Sequence, residues 1–495
     1  MDEPSRLAAP WARLPPEIKA NIMGRLARMD LKSCRLLDKC TNLAATRALF
    51  RTLCLSPSLN SVKRLSKVAA RPNLASQVHT LHIYRHYLKL VSFDECIRTG
   101  HLAEHLRRLH PLDAASHALE LLEAYKGEVE AQLHFAVQGP PLLSDSLKKF
   151  PHLQCFVHCG MTNPTENGDY LLDEDSDLLR RTGIRTLEGR THYLMMHSTL
   201  QKCRGLKPVS IDLSSFYWWE FYNCMEIPHA KALFERVIHF KLTFEVKSFD
   251  RGSCPLKPTN AHWRKGLTKY LGQLAEYLPA AEHVWLGFDE LVVGQQRRQS
   301  VRSYALTKMT SLLLRPPAPE NAWSRLNSLT LENIAVEVKD LSNFIARHSE
   351  LLRSLTIINI HLRETDRISG GILSSMMKLI SFLNRETRLD HFALIGTFLG
   401  PDGDTLTCCP KGKGSILHDL NEYVCHRGEF PFCSPKIFLQ DVDTYWPSAT
   451  VAGNKVTIPG PRHCRVEIIL GSDDSWHIEG PERPAPPMWF FGRQQ

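Results

Sequence analysis

The sequence predicts an α/β chain: a small three-helix unit at residues 14–53, a helical connector at 54–77 and a degenerate α/β solenoid at 78–400. Three observations carry this reading. Apolar residues recur at helical spacing between Leu14 and Arg51, and the pattern breaks twice. Two leucine-patterned runs, 326–334 and 352–360, repeat with Leu329 and Leu355 26 residues apart. The composition, 43% apolar and 23% charged over 495 residues, is that of globular domains, with length for two or three cores.

Each helix of the first unit has a physical start. Pro15 and Pro16 stand where a fixed φ is pre-set for a helix and a missing N–H costs nothing. Glu17 falls in the first turn, opposite the positive end of the helix dipole. Ile18, Ile22 and Leu26 then recur every four residues as one apolar stripe. Asp30 reads as the N-cap of a second helix carrying Leu31, Cys34, Leu36 and Leu37. A third begins near Asn42, with Leu43, Leu49 and Phe50 available to pack. A segment below about 40 residues rarely buries a sufficient core alone, so it reads as a unit completed by another protein. The same pattern also fits the first three helices of a larger helical domain.

The ordered run of Leu14, Pro15, Pro16, Glu17, Ile18, Ile22, Leu26, Asp30, Leu31, Lys32, Ser33, Arg35, Leu36, Leu37 and Lys39 resembles an F-box, in wording closest to fungal F-box proteins. The phrases at 48–53, 55–57 and 62–65 extend the likeness over about the first 85 residues. One departure is Thr41, where the family usually carries an aromatic residue two positions after the lysine. The resemblance implies a non-catalytic subunit of an SCF-type ubiquitin ligase, without cofactor or metal. Leu14, Pro15, Ile18, Ile22, Leu26, Leu31, Leu36 and Leu37 would contact or support a Skp-type adaptor, which tethers the chain to a cullin–RING scaffold. A target protein would sit on the repeats.

The repeats are legible as short strands followed by partly helical returns. Between the two clear runs, 338–348 predicts a helix with Leu341, Phe344 and Ile345 inward. Weaker strands are expected at 78–83, 151–157, 237–244, 281–286 and 389–394. A 26-residue pitch lies within the leucine-rich-repeat period, and one such unit cannot bury its face alone. An ordinary α/β domain with leucine in its strands is the alternative. Residues 401–495 change character: glycine-, proline- and charge-rich loops, short β-prone runs at 436–439 and 466–470, and a proline-rich end, together a terminal cap.

Charge is concentrated. Between Leu14 and Arg71 stand 12 Lys/Arg against Glu17, Asp30 and Asp38, which equals the +9 of the whole chain. Such a face suits an acidic protein partner or nucleic acid. The absence of interleaved aromatics favours the protein. No apolar run reaches 18 residues and residues 1–13 carry no apolar signal segment, so a cytosolic or nuclear chain without membrane contact is expected. The 14 cysteines are scattered; His152, Cys155, His158 and Cys159, and Cys425 with Cys433, come nearest to metal-ligand spacing without forming paired knuckles. No phosphate-loop, dinucleotide or nucleophile-elbow motif occurs. The acidic run 173–177 reads as a solvated loop. The aromatic run 216–222 reads either as a buried junction or as a recognition surface. Two other functions stay open: an adaptor-bound scaffold without cullin, and a basic nucleic-acid-binding protein.

Overall fold

The computed structural model describes residues 11, 14–26, 28–84, 86–88, 111–159, 186–188, 195–200, 203, 206, 208–216, 218–226, 230–245, 271, 273–289, 323–363, 371–399, 405–408, 416–428, 450–452, 455–459, 465–470 and 476–479. The chain divides into two units, 1–215 with 223–237, and 216–222 with 238–495. The expected loops at 401–404 and 411–414, the acidic run 173–177, the β-prone run 436–439 and the proline-rich end lie outside the described residues.

The first unit opens with α1 (Pro16–Met23), α2 (Arg28–Cys34) and α3 (Lys39–Arg51). Prolines at the first turn and Glu17 behind them start α1 as expected. The other two starts move. Asp30 lies inside the first turn of α2 and does not cap it. The third helix begins at Lys39 because Asp38 caps it, its carboxylate accepting from the Thr41 N–H at 2.9 Å.

Helix α3 runs directly into β1 (Thr52–Leu55), where Leu53 and Leu55 alternate inward. The sheet therefore starts at Thr52. The connector expected at 54–77 holds the end of this strand, then α4 (Leu59–Ala69) and α5 (Pro72–Ala75). Ser58 caps α4, and Leu59, Val62, Leu65 and Ala69 bury one stripe of it. Next come β2 (Thr80–Tyr84), β3 (His86–Leu88), the long α6 (Pro111–Leu147), β4 (Cys155–Cys159), β5 (Thr186–Glu188), β6 (Ser210–Phe216), α7 (Trp218–Glu226) and α8 (Ala230–Phe234). Strands β1, β2, β4 and β6 pair in parallel, aligning Thr52, Thr80, Cys155 and Ser210.

The second unit holds β7 (His239–Phe244), α9 (Leu274–Tyr277), β8 (His283–Phe288), β9 (Ser328–Glu337), α10 (Val338–His348), β10 (Ser354–Arg363), α11 (Gly371–Glu386), β11 (His391–Leu399), β12 (Thr405–Cys408) and α12 (Ile416–His426). Strands β7 to β11 pair in parallel in chain order, and β12 closes antiparallel on β11. A separate antiparallel sheet follows: β13 (Thr450–Ala452), β14 (Lys455–Pro459), β15 (Arg465–Leu470) and β16 (Trp476–Glu479).

The parallel register sorts the side chains. Phe240, Val284, Leu329, Leu355 and Phe392 form one buried row, and Leu242, Leu286, Leu331, Ile357 and Leu394 the next. Helix α10 has the expected bounds and buries Leu341, Phe344 and Ile345. Residues between these rows point to the other face, because strand side chains alternate.

The strands turn through an asparagine ladder. Asn333 and Asn359 adopt left-handed φ values of 54° and 49°, a region that asparagine tolerates better than most residues. Asn333 Nδ2 donates to the Phe288 carbonyl, and Asn359 Nδ2 donates to Asn333 Oδ1, both at 2.8 Å. On β11 the left-handed residue is Gly396 (φ 86°), where a Cβ would lie 2.0 Å from Asn359 Oδ1. The two asparagines have the same 26-residue spacing as Leu329 and Leu355.

Candidate functional site

The three-helix unit sorts its apolar residues into two sets. Met23, Leu31 and Ala45 form the buried cluster, with Trp11, Leu26, Cys34, Ala44, Ala48 and Leu49 packed against it. The second set faces outward: Ile18 is 44% exposed, Ile22 38%, Leu36 86%, Leu37 73% and Leu43 55%. Of the eight residues expected to contact or support an adaptor, Leu31 is core, Leu26 backs the core and Leu14 is half-buried. Pro15, Ile18, Ile22, Leu36 and Leu37 are exposed. Ile18 and Ile22 are thus not on the inward face of α1, and Leu26 packs against the core from beyond its end. Met23 and the stem of Lys19 are the buried positions of that helix.

Fully burying a large aliphatic side chain supplies about 1.5–3 kcal/mol, much of which Leu36 and Leu37 forgo. Single exposed leucines are ordinary. Five large aliphatics stand exposed on a three-helix unit whose buried apolar core is Met23, Leu31 and Ala45.

The position of the missing aromatic has its own chemistry. Thr41 is buried, its hydroxyl donates to the Asp38 carboxylate, and it accepts the Trp11 indole N–H at 2.7 Å. Trp11 thereby brings aromatic bulk to the cluster from before α1. Asp38, bonded by the Thr41 hydroxyl and N–H, is held below the usual carboxylate range. Sequence reasoning passed over Trp11; its signal was a lone tryptophan three residues before Leu14.

A groove of about 920 Å³ runs beside these helices. Met23, Leu26, Leu31, Ala44, Ala48 and Leu49 supply apolar walls, and Lys19, Arg47, Arg51, His79 and His82 supply nitrogen. Among the described residues no carboxylate lines it. Burial depresses the His82 pKa. Elsewhere in the basic segment, Arg25, Lys32, Lys39, Lys63, Lys67 and Arg71 are exposed.

Of the expected cysteine and histidine clusters, Cys433 lies outside the described residues. On β4, His158 is buried against His197 at 5.5 Å between ring centroids. Burial raises the Cys155 thiol and lowers His197 to about 4. His152 stacks on His79 at 5.8 Å instead. Cys425 is pushed up to about 11 by burial and by Asp390 and Glu422. Raised thiols are poor nucleophiles and poor metal ligands at neutral pH, and among the described residues no three His, Cys, Asp or Glu side chains are placed to hold a metal ion. In the aromatic run, Phe216 and Phe221 are buried, Phe221 edge-on to Phe244 at 5.5 Å. No helix of the described residues is long and apolar enough to cross a membrane.

No family model matches the chain. No curated protein matches it either. Among solved structures, an endo-beta1,6-glucanase is similar at 8% identity over 88% of this chain and 89% of that one, with a TM-score of 0.19. An overlap that low relates neither fold nor activity.

Proposed function

We propose that this chain is the target-recognition subunit of an SCF-type cullin–RING ubiquitin ligase. In this reading the three-helix unit is an F-box that docks on a Skp-type adaptor. The parallel strands and their helical returns form a degenerate leucine-rich-repeat-like solenoid that holds a target protein. The chain performs no bond chemistry itself. It raises the effective concentration of target lysines at the conjugating enzyme, making transfer nearly intramolecular.

One observation carries the reading: Ile18, Ile22, Leu36 and Leu37 stand exposed on a helical unit whose fully buried core is Met23, Leu31 and Ala45. Docking would bury that outer set. The exposed cations around it suit an acidic adaptor. Leu31 and Leu26 act through the helix packing that presents the outer set.

The test is affinity purification of the tagged full-length chain beside two variants, Leu14→Ala/Pro15→Ala and Leu36→Glu/Leu37→Glu, read by mass spectrometry. Adaptor and cullin with wild type, and neither with Leu36→Glu/Leu37→Glu, is the expected result. Adaptor without cullin assigns a scaffold role. If neither partner is recovered with wild type, the F-box reading fails. The basic groove then favours nucleic acid, recognised by a steep fall of affinity with salt.

A further inference from the structure

The groove beside the three-helix unit is walled by α1 at Ala20, Met23 and Gly24, and by α3 at Ala44, Arg47 and Arg51. Thr52 and Cys54 of β1 and His82 of β2 complete it. Ile18, Ile22, Leu36 and Leu37 do not line it, so it is distinct from the outward apolar set. On α3, residues four apart lie one above the other. Leu43, Arg47 and Arg51 therefore make one row, and Ala44 with Ala48 the row beside it. The small side chains at Ala20, Gly24, Ala44 and Ala48 leave space between the walls. The volume of about 920 Å³ lies in the range of small-molecule sites, about 300–1,000 Å³.

The charge beside the groove is one-sided. No aspartate or glutamate occurs between Lys39 and Phe93, so α3, β1 and β2 bring no carboxylate to it. Arg47 and Arg51 are exposed, and among the described residues neither is in an ion pair. Lys19 is committed elsewhere, its ammonium 6.0 Å from the Trp11 ring centroid and its charge acting on Asp38. Of the acids on the helical unit, Asp38 is bonded by Thr41, and neither it nor Glu17 nor Asp30 lines the groove. Two guanidiniums one helical turn apart suit an oxyanion that accepts forked hydrogen bonds. The apolar wall continues from them at Ala44, Ala48, Met23 and Leu26. A ligand that satisfies both is an amphipathic anion. Nucleic acid would use the cations alone, because the described lining residues include no Trp, Tyr or Phe on which a base could stack.

We propose that this groove binds a dissolved amphipathic organic anion, with its carboxylate or phosphate head at Arg47 and Arg51 and its hydrocarbon body along Met23, Ala44 and Ala48. The proposal goes beyond the ligase reading and does not depend on it.

The experiment is titration calorimetry of the full-length chain with dodecanoate, dodecyl phosphate, dodecyltrimethylammonium and acetate, each below its micelle concentration. At least one dodecyl anion should bind saturably, and the dodecyl cation and acetate should not. Which anion binds identifies the head group. Arg47→Gln/Arg51→Gln should weaken that binding at least about tenfold. Arg47→Glu/Arg51→Glu should turn the preference towards the dodecyl cation. Ala44→Trp fills the groove while leaving both arginines, and should abolish binding. Thermal unfolding checks each variant, and the exposed arginines keep the test decisive should Ala44→Trp fail to fold. Lys63→Glu/Lys67→Glu makes the same charge change at exposed positions of α4 and should leave the affinity unchanged. No binding of either dodecyl anion, equal binding of anion and cation, or an equal loss in the Lys63/Lys67 variant overturns the proposal. Flotation with anionic phospholipid vesicles separates the sources of such a ligand. Arg47- and Arg51-dependent capture by vesicles, without binding of the dissolved probes, assigns a membrane surface and overturns it. Single-stranded RNA held by Arg47 and Arg51, with dodecanoate unable to compete, overturns it as well.

Discussion

The three-helix unit and the parallel strands of the second unit use apolar residues in opposite ways. The helices bury Met23, Leu31 and Ala45 and leave Leu36 and Leu37 almost fully in solvent. The strands bury two complete rows, from Phe240 to Phe392 and from Leu242 to Leu394, and keep polar side chains such as Lys241, Ser328, Thr330 and Thr356 on the other face. One region leaves large aliphatic side chains in solvent. The other completes itself by repetition, each strand covering its neighbour's edge.

Four variants and a titration test that contrast, in falling order of expected effect on stability. Leu355→Ala empties a fully buried position, and should cost about 2–5 kcal/mol in denaturant unfolding of the second unit. Should it cost less than a surface change, the continuous row is not the core. Gly396→Ala forces a Cβ towards Asn359 Oδ1 at a positive φ, with an expected cost of about 1–3 kcal/mol. Faster amide hydrogen exchange in β10 and β11 would register it. Thr41→Ala removes the acceptor of Trp11 and one donor to Asp38. It should cost about 0.5–2 kcal/mol and shift Trp11 fluorescence, with the second unit's melting unchanged.

Acid separates the regions without a mutation. His348 on α10 is held down to about 4 by burial and by Arg347. An unfolded histidine takes up its proton near about 6.5. Between these values the unfolded chain binds the extra proton, so stability falls as pH drops from about 6.5 towards 4. Asp38 has the same sign in a lower window. Its lowered folded value makes its contribution present above about 3.9, the unfolded value, and lost only as pH falls below it. Exchange protection in α10 should therefore weaken at milder acidity than the Asp38 cap of α3. The opposite order would show that the buried histidine is not coupled to folding there. Smallest of all on stability, Leu36→Ala/Leu37→Ala should move unfolding by less than about 0.5 kcal/mol per site, yet weaken adaptor recovery. A large loss of stability would place these leucines in a core.

Much of the second unit could be read in advance from its leucines. The runs at 326–334 and 352–360 contain the starts of β9 and β10, and the other expected runs overlap β7, β8 and β11 there and β2 and β4 in the first unit. Strands β1 and β6 were missed. Thr52–Leu55 sits inside a helical phrase, and Ser210–Phe216 alternates Ile211 and Leu213 among hydroxyls, outside the leucine pattern. Asn333 and Asn359 were visible at the repeat spacing, but only the left-handed backbone shows why they stand there. Of the candidate site, the exposed residues were named together with their supports, because periodicity marks an apolar position without telling which neighbour covers it.

What the sequence alone determined is local and periodic: the proline start of α1, the bounds and buried face of α10, the 26-residue pitch and the concentration of charge before Arg71. These follow from dihedral preferences and from apolar spacing within one element. Tertiary structure decided the rest. It turned Met23 inward and left Ile18 and Ile22 outside, seated Trp11 on Thr41, and brought Lys241, Trp285 and Glu332 onto one patch. Each of those outcomes depends on residues far apart in the chain, such as Trp285 and Glu332 at a separation of 47. Their meeting is set by strand register, and register is a property of the packed sheet rather than of any one segment.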